Sequence, residues 1–158
     1  MKRILIFSLG LLFVFFAACK NADKKSDGKL SSETLNAKAD SLYDELLKEH
    51  DEGMKGWMRI EDRQKQIKAL LDSMASLPSK GQSSLDALKA KLNEATAELG
   101  DAYKQMDEWM TKMNLDSAVN NAELRIQYLT GENLKGVKIT ELINNSLQKA
   151  DSLLKTKF

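Results

Sequence analysis

The sequence predicts an all-α protein, an antiparallel three-helix bundle with coiled-coil-like heptads, or four helices if the third helical segment breaks. Three observations carry this. Residues 19–158 hold 20 Leu and 13 Ala but only two Val and five Ile, a mixture that favours helices over a β-branched sheet core. Apolar residues recur at alternating steps of four and three over long stretches, the period of a helix that buries one stripe. The sole proline, Pro78, stands between two such stretches, where a helix must end.

The first helical segment is expected to start at Ser31, with Leu30 and Leu35 as a hydrophobic staple around that cap. It can run to Leu77. Its stripe is Ala39, Tyr43, Leu46, His50, Gly53, Trp57, Ile60, Gln64, Ile67, Leu71 and Met74. Gly53 and Gly56 cost about 1 kcal/mol each relative to Ala, which makes a bend there plausible. Residues 78–83 form a turn. Ser83 is then expected to cap a second helix, with Asp86 completing an approximate capping box. The second stripe reads Leu85, Leu88, Leu92, Ala95, Leu99, Ala102, Met106, Trp109 and Met113, and the helix should end near Asn114. The third segment begins near Ser117, with Ala122, Ile126, Leu129, Asn133, Gly136, Thr140, Ile143, Leu147, Ala150 and Leu154 in line. Gly131 and Gly136 make a break over 131–138 as acceptable as continuity.

Short turns force sequential helices to run antiparallel. A turn centred near Gly81 sets residue i of the first helix beside about 162 − i of the second, so Trp57 faces about residue 105 and His50 about residue 112. Residues 33–48 then overhang the second helix by ~24 Å at 1.5 Å per residue. The overhang carries Leu35, Leu42, Tyr43, Leu46 and Leu47, an apolar stripe that water does not tolerate over that length. Either residues 115–130 fold back across it, or a second copy or an envelope partner covers it.

The amino end predicts an address. Lys2 and Arg3 precede a 13-residue apolar run that is too short for a membrane span, the pattern of a secretory signal over residues 1–18. Phe16-Ala17-Ala18-Cys19 resembles the lipobox of bacterial lipoproteins, with Phe in place of the usual first Leu. That resemblance implies cleavage before Cys19 and a covalent lipid on its thiol. Ordinary cleavage is the competing reading, but a cut after Ala22 would set Lys20 three residues before it, where a small residue is wanted. With Lys20 rather than an acid after the cysteine, the resemblance implies the outer membrane. The periplasmic face is the default and surface display stays open. Residues 19–31 hold the lipidated Cys and a polar tether, which spans roughly 19 Å root-mean-square. Residues 32–158 form the bundle.

Composition excludes several functions. Without the signal the chain has 22 basic and 23 acidic residues, no basic excess for nucleic acid. One His and one Cys provide no conventional zinc, iron–sulfur or Cys/His catalytic set and no intrachain disulfide. No phosphate loop, nucleophile elbow or zinc-protease motif occurs. Asp51-Glu52 and Asp107-Glu108 diverge by about 100° along their helices and read as solvated faces. The chain is expected to be a non-enzyme, with no cofactor beyond the lipid.

One feature exceeds a generic bundle. His50, Met54, Trp57 and Met58 on the first helix, and Met106, Trp109, Met110 and Met113 on the second, fall at one height. Three readings stand. The cluster is core, with His50 a buried neutral imidazole bonded to a flanking carboxylate or a backbone carbonyl. Or it binds a soft metal ion, Cu(I) or Ag(I), since thioethers and imidazole suit such ions and His50/Met54 and Met106/Met110 are each one turn apart. Or it is a groove for an apolar peptide or lipid.

His50-Asp51-Glu52-Gly53-Met54 and Met106-Asp107-Glu108-Trp109-Met110 together resemble an uncharacterised family of small helical bacterial lipoproteins loosely labelled "viral A-type inclusion protein", over residues 38–156. The resemblance implies the fold and the lipoprotein address and supplies no activity. Two functions are therefore expected. One is a structural or protein-interaction module of the cell envelope, acting through the first helix. The other is a stress-protein-like binding module for a soft metal or a small apolar ligand.

Overall fold

A computed structural model describes residues 31–78 and 85–156. The signal, Cys19, the tether through residue 30, the Leu30 staple partner and the Ser83 cap all lie outside the described residues. Three helices follow in order: α1 (Ser32–Ala75), α2 (Asp86–Lys112) and α3 (Ala122–Leu154). Among the described residues there is no strand. The chain is an all-α three-helix bundle.

Helix α1 begins as its sequence dictates. The Ser31 hydroxyl accepts the Thr34 N–H at 3.2 Å, which satisfies one of the donors that an α-helix leaves unpaired in its first turn. The helix ends two residues earlier than expected, with the Ser76 N–H turning back to Ser73 and Met74 carbonyls ahead of Pro78. Helix α2 opens on Leu85 without a side-chain cap. It ends where Met113 turns extended, its N–H on the Trp109 carbonyl at 2.9 Å.

The third helix starts later than residue 117. Residues 115–120 are turns, and Ala118 adopts a left-handed φ of 56°, which a helix cannot contain. Asn121 then caps α3 through Leu124 N–H at 3.1 Å. No break follows at 131–138: α3 is one helix of 33 residues. The expected cost of its two glycines is outweighed by packing. Gly136 is buried beneath Trp109 and Glu49, and Asn133 donates from Nδ2 to the Leu42 carbonyl of α1 at 2.8 Å.

Two registers define the bundle. Between α1 and α2 the numbers run in opposition. Trp57 meets Tyr103 and Gln64 meets Thr96, so i pairs with 160 − i, two residues from the sequence expectation. Between α1 and α3 the numbers rise together, as Leu42 meets Asn133, Gly53 meets Thr140, and Arg63 meets Asp151. These helices are parallel. Gly53 and Gly56 serve this seam, within an α1 that is unbroken. A Cβ at Gly56 would stand 2.5 Å from Ile143 Cγ2, and one at Gly53 2.9 Å from Thr140 Oγ1, so only glycine permits this approach.

The parallel register also covers most of the overhang, though Leu47 stays exposed. The 113–121 connection and the first turns of α3 fold back across the amino half of α1. Leu46 is fully buried, while Leu42 and Tyr43 are partly buried against the core with Leu115, Ile126 and Tyr128. Arg125 secures the arrangement. Its guanidinium donates to the Leu115 and Ser117 carbonyls at 2.9 and 3.1 Å and stands 5.6 Å over the Tyr43 ring, a cation–π position. The core runs the length of the bundle through Leu46, Ile60, Ile67, Leu92, Leu99 and Ile143, none of which is exposed.

Candidate functional site

The Met, Trp and His residues share one level, but they do not share one environment. Met106 is fully buried, with its Sδ 3.7 Å from where a Gly53 Cβ would stand. The missing side chain at Gly53 is the room that Met106 fills. Trp109 is 5% exposed. Its indole N–H donates to Glu132 Oε2 at 2.8 Å, and its ring edge lies against Gly136, where a Cβ would stand 2.8 Å from Cη2. Buried Trp N–H groups need such partners. This one is a carboxylate that is itself buried at 6% exposure, with Lys135 donating to its other oxygen at 2.7 Å.

Trp57 is half-buried and faces a different neighbour. It stacks on Tyr103 at 4.5 Å between centroids, tilted 19°, and donates its N–H to the Tyr103 carbonyl at 3.1 Å. Met54, Met110 and Met113 are half-buried and pack on the core. Met58 is separated from the rest: it is 65% exposed, because it lies about 100° round the helix from Trp57.

His50 is not the buried imidazole of the core reading. Its side chain is 28% exposed. The carboxylate bond expected of it is present, with Nδ1 3.2 Å from Asp51 Oδ1. The ring lies 6.3 Å from the Trp109 ring and tilted 47° to it, which fixes it between α1 and α2. The neighbouring acids sit where solvated helix faces put them. Asp51, Glu52 and Asp107 are exposed. Lys112, donating to Glu108 at 2.8 Å, and then Lys104 hold the Glu108 carboxyl below the usual carboxylate range.

Sequence reasoning missed Glu132 and Tyr103, and it read Gly136 as a candidate break rather than as the seat of Trp109. Glu132 carries no local signal, since a lone acid on a helix usually faces water. Its neighbour Asn133 in an otherwise apolar stripe was the available hint that this stretch of α3 meets polar partners. A shallow hollow of about 370 Å³ opens beside this pair, between Trp109, Glu132, Lys135 and Lys138. Another, of about 620 Å³, lies along the α1–α2 seam near Gln64 and Thr96.

Among the described residues no group of three or more His, Cys, Asp and Glu converges as a metal set. Nor is any described helix long and apolar enough to cross a membrane. No protein-family model, no curated protein and no solved structure matches this chain.

Proposed function

We propose that the chain is a lipid-anchored protein of the bacterial cell envelope, a member of the small helical lipoproteins it resembles, that works as a helical interaction module. One observation carries the reading. A basic start, an apolar run and Ala17-Ala18-Cys19 are followed by a polar stretch that ends at the Ser31 helix cap. A covalent lipid of several acyl chains, at ~0.8 kcal/mol per CH₂, holds such a bundle at the membrane surface. The bundle itself supports an interaction role through side chains that folding leaves exposed. Leu134 and Val137, 61% and 41% exposed, sit one turn apart on the outer face of α3. On α1, Leu47 and Met58 are also exposed. The outer membrane with the bundle toward the periplasm is the proposed address, and an envelope protein or a second copy is the proposed partner.

Mass spectrometry of the mature amino end tests the anchor. A diacylglyceryl Cys19 as first residue is expected, and an unmodified end at any other residue overturns it. Photo-cross-linking from position 134 in cells tests the module, with a discrete adduct expected. A chain that returns neither partner nor oligomer from positions 47, 58 and 134 is not an interaction module.

A further inference from the structure

We infer that the α1–α2 seam holds a site for a soft monovalent cation, Cu(I) or Ag(I), built from the imidazole of His50 and the thioethers of Met54 and Met110. The site is independent of the lipid anchor and of any protein partner.

The seam is a ladder whose rungs are seven residues apart on each helix. Gln64 meets Thr96 on one rung and Trp57 meets Tyr103 on the next. The same step brings the following rung to His50 and Met110. The His50 ring does lie against this part of α2, beside Trp109. Met54 is the next turn of α1, and Met106, filling the space under Gly53 beside Thr140 of α3, floors the seam at the same level. One turn of α1 therefore brings two donors to the seam, and α2 adds a third.

The surroundings of His50 resemble those of a ligating histidine. With its proton on Nδ1, His50 donates to Asp51, and its Nε2 keeps a lone pair with no hydrogen bond among the described residues. Metal-ligating histidines are held in this way, one ring nitrogen on a carboxylate and the other on the metal. Trp109 stands beside it, 6.3 Å between ring centroids, with its indole N–H held by Glu132. Half-buried Met54 and Met110 and the 28% exposed His50 side chain leave an entry from water, while fully buried Met106 closes the inner side. Thioether with imidazole selects soft ions. Zinc prefers thiolate, imidazole and carboxylate sets.

The test uses the full chain in detergent micelles with Cys19→Ser, which removes the only thiol. Silver(I) is titrated while tryptophan fluorescence is followed, and copper(I) is then run in competition with a chelator of known affinity. Saturation at one equivalent with a fluorescence change is expected. His50→Ala and Met110→Leu should each weaken binding by at least ~10-fold, and Met58→Leu should leave it unchanged. Met→Leu conserves volume, and circular dichroism checks the helices. If Met110→Leu unfolds, Met54→Leu makes the same test. Absence of saturable binding at micromolar metal overturns the proposal. So does equal affinity in the His50 and methionine variants, or a loss as large in Met58→Leu.

Discussion

Helix α1 meets its two neighbours in opposite ways. Against α3 it removes side chains. Gly53 and Gly56 on one helix and Gly136 on the other are buried, and α1 and α3 run parallel in close approach. Against α2 it inserts them. The Trp57–Tyr103 stack and the Gln64 layer hold those helices apart, with an open hollow of about 620 Å³ at the Gln64 layer. Both seams come from stripes of the same four-three spacing. Spacing decides that a residue is buried; side-chain size decides how near the partner comes. The glycine seam is closed to ligands, and the methionine-lined seam is the one with room to adapt.

The largest expected effect breaks the point at which all three helices meet. Trp109→Ala removes a buried indole and leaves Glu132 Oε2 without its donor. It should destabilise the bundle by ~3–5 kcal/mol, read as a lower midpoint in urea unfolding. A loss below about 1 kcal/mol would mean that this level is not core.

A smaller effect with a change of sign sharpens the contrast between seams. Gly56→Ala forces a Cβ to 2.5 Å from Ile143 Cγ2, a stiff branched carbon. Overpacking of ~1–3 kcal/mol should outweigh the ~1 kcal/mol that Ala contributes to helix propensity, so Gly56→Ala destabilises. Gly131→Ala meets nothing within 4 Å and should stabilise by up to ~1 kcal/mol. Thermal melts of the two variants that shift in the same direction would contradict the close approach.

The smallest effect lies in the α2–α3 seam. Lys149 donates to Glu98 at 2.7 Å and pairs with Glu94 at 3.0 Å. The Glu98 hydrogen bond first, and Glu94 second, raise its pKa above the ordinary 10.5. A raised lysine contributes stability below its unfolded pKa and loses it as pH climbs through the folded one. The advantage of wild type over Lys149→Met should therefore hold up to about pH 10.5 and shrink above it. Melting temperatures across that range check it, and an advantage that grows above that pH would oppose the assignment.

Much of this architecture was legible. The Ser31 cap, the end of α1 before Pro78 and the buried stripes of all three helices follow from local rules, because capping and periodicity involve residues within a few positions of one another. The level shared by His50, Met106 and Trp109 followed from a turn length. The later start of α3 was less legible, because it depends on a left-handed Ala118 that carries no turn-forming side chain. Its continuity through Gly131 and Gly136 was open because a helix-breaking cost of ~1 kcal/mol per glycine is small beside what a buried interface returns. Within the candidate site, the outward turn of Met58 was implicit in the position of Trp57 one residue earlier. The Glu132 partner of Trp109 was not implicit in anything near it.

By itself, then, the sequence determined that this chain is helical, where its helices begin and end to within a few residues, and which face of each is buried. These are properties of a 3.6-residue period and its caps. Tertiary structure alone decided that α1 and α3 close on glycine while α1 and α2 stand apart on aromatics. It alone set a buried carboxylate under Trp109 and left His50 reachable from water. Those outcomes depend on what residues more than twenty positions apart present to each other, and a local period carries no record of that.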